Sequence, residues 1–215
     1  MIKTRALQLG LKRIFDIGFT IVTCWVTIPV CLIMACVIKA CSPEDPVVFV
    51  QKRIGLYGAV LSIHKLRTMT NERDDAGNLL PDELRIKRWG RIIRAMNADE
   101  MPQAWDILRG AMSWIGPRPL LPYEMSVMSE REQKERQVMR PGITGWEAIN
   151  EAMAPTRRLM AECDLYYVRN WSLWLDIKIF FRTAAIVLLR LRPNDALRAP
   201  KMDDVSKTDG TGFSK

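Results

Sequence analysis

Asp99 and Glu100 are adjacent acids, followed by Met101, Pro102 and Gln103. Vicinal carboxylates are candidates for chemistry, and equally for the acidic first turn of a helix that Pro102 is well placed to start. Further on, Ile115–Leu121 reads IGPRPLL, and Arg118 sits between Pro117 and Pro119 with Gly116 ahead. A guanidinium on so stiff a backbone is preorganised for an anion. The bland alternative is a proline-rich turn carrying a solvated arginine. Metal chemistry of the Cys/His kind has little to build on. There is one histidine, His64, and the five cysteines include no C-x-x-C pair. Cys24, Cys31, Cys36 and Cys41 lie in or beside an apolar run, and Cys163 reads as a reduced, buried thiol, a usage that fits the cytosol.

These candidates must be positioned by what surrounds them. The 215 residues fit one ordinary domain, and 48% hydrophobic with 26% charged content excludes a collagen-like or wholly disordered chain. Lys plus Arg number 32 against 24 acids, a net charge of +8 that favours an anionic partner without choosing among nucleic acid, lipid and phosphorylated substrate. From Ile17 to Ile38 no charged residue occurs. A straight helix of that length would reach about 33 Å, enough for a hydrocarbon core of about 30 Å. Pro29 interrupts it, and basic residues flank both sides: Lys3, Arg5, Lys12 and Arg13 before, Lys39, Lys52 and Arg53 after. The proline and the charge pattern favour a kinked or re-entrant helix returning to the same face over a simple span. The run is too long for a signal-peptide core.

After this anchor, residues 1–41, the chain reads as one compact domain over 42–192 and a disordered polar tail over 193–215. Val47–Gln51 and Val60–Leu66, separated by a turn at Gly55–Gly58, predict a β-hairpin. Most of the rest is predicted helical, including one helix over Asp82–Met96 with Arg85, Arg88, Arg91 and Arg94 interleaved among its apolar residues. Leu173–Arg192 is a strongly apolar segment with Lys and Arg, suited to a membrane interface or to a core helix. The fold class is therefore mainly α with a small β-hairpin, an N-terminal kinked or re-entrant membrane helix, and a compact domain whose amphipathic helices suit an interface or a core.

Several blocks together resemble the bacterial sugar transferases, the small monotopic phosphoglycosyl transferases. KRIFDI at Lys12–Ile17 is similar to the start of their membrane helix, and HKLRTM at His64–Met69 to their K-F-R-T-M block. ADEMPQAWDILRGAMSWIGPRPL at Ala98–Leu120 resembles their D-E-L-P-Q, N-V-L-x-G-x-M-S and V-G-P-R-P signature. RPGITG at Arg140–Gly145 and DLYYVRNWSLWLDIKI at Asp164–Ile179 follow in the usual order. The resemblance covers residues of about 12 to 185.

It implies a two-step transfer: a UDP-sugar gives its phosphosugar to an aspartate, UMP departs, and polyprenol (undecaprenyl) phosphate attacks the acyl phosphate. By motif position Asp99 is the nucleophile and Glu100 its catalytic neighbour, with Glu100 the protein contributor to a Mg²⁺ ion. A carboxylate ionised at neutral pH needs no base, but cations must offset its repulsion from a diphosphate. Arg94 and Arg118 are implied for phosphate binding, with Lys65, Arg140, Asp164 and Asp176 as further substrate-site positions. The expected location is the bacterial inner membrane, catalytic domain on the cytoplasmic face, with membrane lipid as a partner and no nucleic acid. The alternative is a catalytically inactive membrane scaffold for glycan assembly. Sugar identity and oligomeric state are left open. The chain departs from the family after RPGITG: WEAINEAMAPTRR stands where A-Q-V-N-G-R-N is common, so Ala148 replaces Gln and Glu151–Ala152 replace Gly-Arg. This stretch is expected to read the donor.

Overall fold

The computed structural model describes residues 2–150 and 156–190. The expected polar tail, and Glu151–Met153 of the divergent stretch, lie outside them. Helix α1 (Ile2–Cys41) is followed by strands β1 (Val48–Ile54) and β2 (Val60–Leu66), which pair as the expected hairpin, the first strand longer than predicted. Then come α2 (Asp82–Arg85), α3 (Arg88–Ala95), α4 (Gln103–Leu108), β3 (Ser113–Ile115), α5 (Glu130–Arg136), β4 (Gly142–Thr144), α6 (Trp146–Ile149), α7 (Arg157–Arg169) and α8 (Leu173–Arg190). The residues fall into two compact bodies.

The first body comprises Gly10–Arg53 and Val60–Met112. Its core joins Ile38 of α1, Leu66 of β2, Ile93 of α3 and Ala98, with Val30, Met34, Trp89 and Met101 packed against them. Val30, Met34 and Ile38 recur every fourth residue, so they form one stripe of α1. At the other end of the apolar run Arg13 donates to the carbonyls of Ile107 and Leu108 at 2.7 and 2.9 Å, satisfying the C-terminus of α4. The opposite side of α1 stays bare: Val22, Trp25, Ile28 and Leu32 are exposed, Trp25 by 84%. The helix assignment continues through Pro29, although proline has no N–H to give one turn back. Its length and composition suffice to cross a membrane.

The single helix predicted over Asp82–Met96 is two. Ile86 is extended (ψ 95°), and Arg85, the last residue of α2, has its carbonyl engaged by the Thr70 N–H at 3.1 Å while its Nε returns to the Thr70 carbonyl at 2.8 Å. Gly90 in α3 is explained by contact: a Cβ there would lie 1.9 Å from the Thr68 carbonyl oxygen.

The second body comprises, among described residues, 2–9, 54–59, 113–150 and 156–190. A short parallel pair, β3 with β4, places Ser113 opposite Gly142 and Ile115 opposite Thr144, an element absent from the sequence prediction. Strands of three residues are too short to show a period. The glycines of IGPRP and RPGITG permit this approach: a Cβ on Gly142 would meet Gly116 N at 2.1 Å. Against the pair pack α6, α7 and α8 through Ile115, Met139, Trp146, Ile149, Tyr167, Val168, Trp171 and Ile179. Cys163 belongs to this core, and burial, with Asp164 and Glu147 nearby, pushes its thiol up to about 11, as befits a packing residue. On α8, Trp174, Ile177, Phe181 and Leu188 remain exposed.

Candidate active site

The acid pair lies on one 3₁₀ turn, Ala98–Glu100, between α3 and α4. Asn97 starts that turn in the left-handed region (φ 52°, ψ 22°), which reverses the chain directly after α3. Ala98 is fully buried and pins the turn to the core, leaving Asp99 and Glu100 half-buried. So the acids do not sit in the first turn of α4. That helix begins after Pro102, which matches proline's preference for helix starts.

Two of the predicted cations stand in the same body. Lys65 Nζ lies 2.7 Å from Glu100 Oε1, reaching over from β2. Arg94, in the last turn of α3, has its Nε bonded to Thr68 Oγ1 at 2.9 Å. Burial lifts the Asp99 carboxyl above its ordinary value and the like charge of Glu100 adds to this, while Lys65 and Arg94 pull it back. The turn thus crowds two carboxylates against two cations, an arrangement suited to receiving a further anion only when that anion brings or meets more positive charge. Among described residues no group of three or more His, Cys, Asp or Glu could hold a metal. The two hard oxygen donors of Asp99 and Glu100 fit Mg²⁺ nonetheless, because that ion is commonly held by one or two carboxylates with phosphates and water completing its shell.

The other predicted positions lie in the second body. Arg118 is anchored by its backbone on both sides: its N–H donates to Asp164 Oδ1 at 3.1 Å, and Arg136 Nη2 donates to its carbonyl. Asp164 and Arg136 are themselves a buried pair, Nη2 to Oδ2 at 2.7 Å with both side chains at most 3% exposed. Asp164 therefore serves Arg118 from behind. The Arg118 side chain is 51% exposed, with Nη1 3.9 Å from Glu147 Oε2. Asp176 is buried at the start of α8 and accepts from Tyr167 Oη at 2.7 Å and Trp171 Nε1 at 3.1 Å. Arg140 precedes β4, half-buried. The structure thus groups Lys65, Arg94, Asp99 and Glu100, and separately ties Arg118 to Asp164. Arg136 was missed from sequence, since EREQKER surrounds it with charge and marks no inward position.

Residues 7–190 match the bacterial sugar transferase family. The uncharacterised sugar transferase EpsL of Bacillus subtilis is 42% identical over 83% of this chain and 88% of its own length. A UDP-glucose:undecaprenyl-phosphate glucose-1-phosphate transferase of Caulobacter vibrioides is 37% identical over 82% of this chain and 69% of its own. A UDP-N-acetylgalactosamine-undecaprenyl-phosphate N-acetylgalactosaminephosphotransferase of Aeromonas hydrophila is 35% identical over 83% of this chain but only 44% of its own. The chain thus spans less than half the length of that last relative.

Proposed function

The chain belongs to the bacterial sugar transferase family, and from that premise we propose that it moves a sugar phosphate from a UDP-sugar to undecaprenyl phosphate through a covalent intermediate on Asp99. The observation that carries this reading is the Ala98–Glu100 turn, where a half-buried carboxylate is flanked by a second acid and faced by Lys65 and Arg94. An ionised Asp99 oxygen attacks the phosphorus bearing the sugar, and the bond from that phosphorus to the UMP oxygen breaks with its electron pair on UMP. An oxygen of undecaprenyl phosphate then attacks the same phosphorus, and the Asp99 carboxylate leaves unchanged. Neither step requires a proton to be removed by the protein. Mg²⁺, held by Glu100 with Asp99 beside it, would supply charge neutralisation for the diphosphate. Lys65 restrains Glu100, and Arg94 and Arg118 are assigned to the phosphates, Arg118 on a backbone that Asp164 and Arg136 hold still.

The same reading places the protein at the inner membrane with the catalytic residues on the cytoplasmic face and α1 re-entrant. Both ends of the apolar run rest on one folded body, Arg13 on α4 and Ile38 in the core of β2 and α3, which argues against passage to the far side. The bare flank around Trp25 and the exposed Trp174, Ile177 and Phe181 of α8 supply apolar surface for lipid.

The test is UMP release by the full chain in detergent, with Mg²⁺, undecaprenyl phosphate and a panel of UDP-sugars. The wild type is expected to release UMP from at least one donor and Asp99→Asn to lose at least about 10³-fold in rate, a nucleophile's typical share. Release by the Asn variant at the wild-type rate would remove Asp99 from this role, and a silent wild type would favour the scaffold. For topology, tags at residues 3 and 60 are expected to be accessible from the same side of inverted vesicles; opposite sides would exclude the re-entrant helix.

A further inference from the structure

His64 and Asp106 take no part in the transfer just described, yet they are bound closely. Asp106 of α4 is fully buried, and its Oδ2 accepts the backbone N–H of His64 at 2.9 Å. Its Oδ1 lies 2.7 Å from His64 Nδ1 and 2.8 Å from Arg109 Nη2, which also donates to the Ser62 carbonyl at 2.6 Å. One carboxylate thus receives a strand amide, an imidazole and a guanidinium. An ionised carboxylate only accepts, so the proton shared with the ring belongs to Nδ1. Neighbouring strand residues point to opposite faces. The residue after His64 is Lys65, whose ammonium holds Glu100 on the other side. Strand β2 is therefore gripped twice at consecutive residues, by α4 through Asp106 and by the acid turn through Glu100.

We propose that His64 and Asp106 are positioning residues for the transfer: their clasp sets β2 against α4 and so holds Lys65 where it restrains Glu100 next to Asp99. This rests on the reaction proposed above. Neither residue is asked to touch substrate, so their loss is expected in kcat more than in the donor KM.

His64 is the only histidine in the chain, so ¹⁵N ring spectra of the full-length protein in nanodiscs report it alone. The wild type is expected to carry its proton on Nδ1, with Nε2 bare at alkaline pH. His64→Asn, whose amide nitrogen falls near Nδ1, is expected to keep kcat within about threefold. His64→Gln, which mimics Nε2 instead, and His64→Ala are expected to lose roughly tenfold in kcat, the scale of a small misplacement of reacting groups, with donor KM moved less than about twofold. Thermal midpoints of the Asn and Gln variants should agree. The proposal is overturned by a proton resident on Nε2, by wild-type kcat in the Gln and Ala variants, or by losses that follow only the unfolded fraction. A wild type that releases no UMP from any donor would sink the transfer reading, and the ring tautomer would still judge the clasp.

Discussion

In the proposed transfer Asp99 sets the pH behaviour. Its carboxyl titrates above its ordinary value because burial and then Glu100 oppose its charge, with Lys65 and Arg94 in partial compensation. In that transfer attack needs the ionised form, so the acid limb of kcat/KM reports the Asp99 carboxyl with Mg²⁺ beside it. Lys65→Met withdraws one opposing cation and should move that limb to higher pH, which a pH–rate profile would show directly. The shift has a counterpart in stability. The folded chain holds this proton more tightly than the unfolded one, so stability falls as pH rises from 3.8 through the raised value. Asp99→Asn should therefore raise the melting temperature at neutral pH without Mg²⁺, measured by thermal scanning in detergent. The grouping of Asp99, Glu100 and Lys65 was legible as a set of candidates because residue type and spacing survive in the motifs. Asp164 and Asp176 were legible as important acids but not as buried ones, since nothing local to either reveals that Arg136 or Tyr167 will face it.

The acid turn depends on how its neighbouring elements end. Asn97 carries a positive φ directly before Ala98, and a β-branched side chain is strained there while glycine is not. Asn97→Val should cost about 1–3 kcal/mol and lower kcat by displacing Asp99, whereas Asn97→Gly should keep both near wild type; urea unfolding and UMP release read the two effects. The periodicity of Asp82–Met96 foretold helix correctly on either side of its interruption. It could not foretell the break at Ile86, because the Thr70 contact with the Arg85 carbonyl comes from a distant loop. The β3–β4 pair was hidden for a related reason: its glycines look like turn residues, and their purpose, letting two backbones touch, exists only after folding. The hairpin was legible since its alternation and its turn are both local.

For the molecule as a whole, placement changes what the composition means. Part of the 48% hydrophobic content faces outward along α1 and α8, and part of the +8 charge is spent internally, as in Arg13 on the carbonyls of α4. The length of the apolar run was plain from sequence, but its two attachments to the first body were not, because Arg13 is 94 residues from Ile107. That separation has a consequence in time. At a synthesis rate of about 5–20 residues per second, α1 precedes its docking partner by roughly 5–20 s. Until Leu66, Ile93 and then Ile107 have been made, the nascent helix has none of these partners to cover it, so at a membrane surface the proposed bilayer contact would form before the acid turn can be assembled.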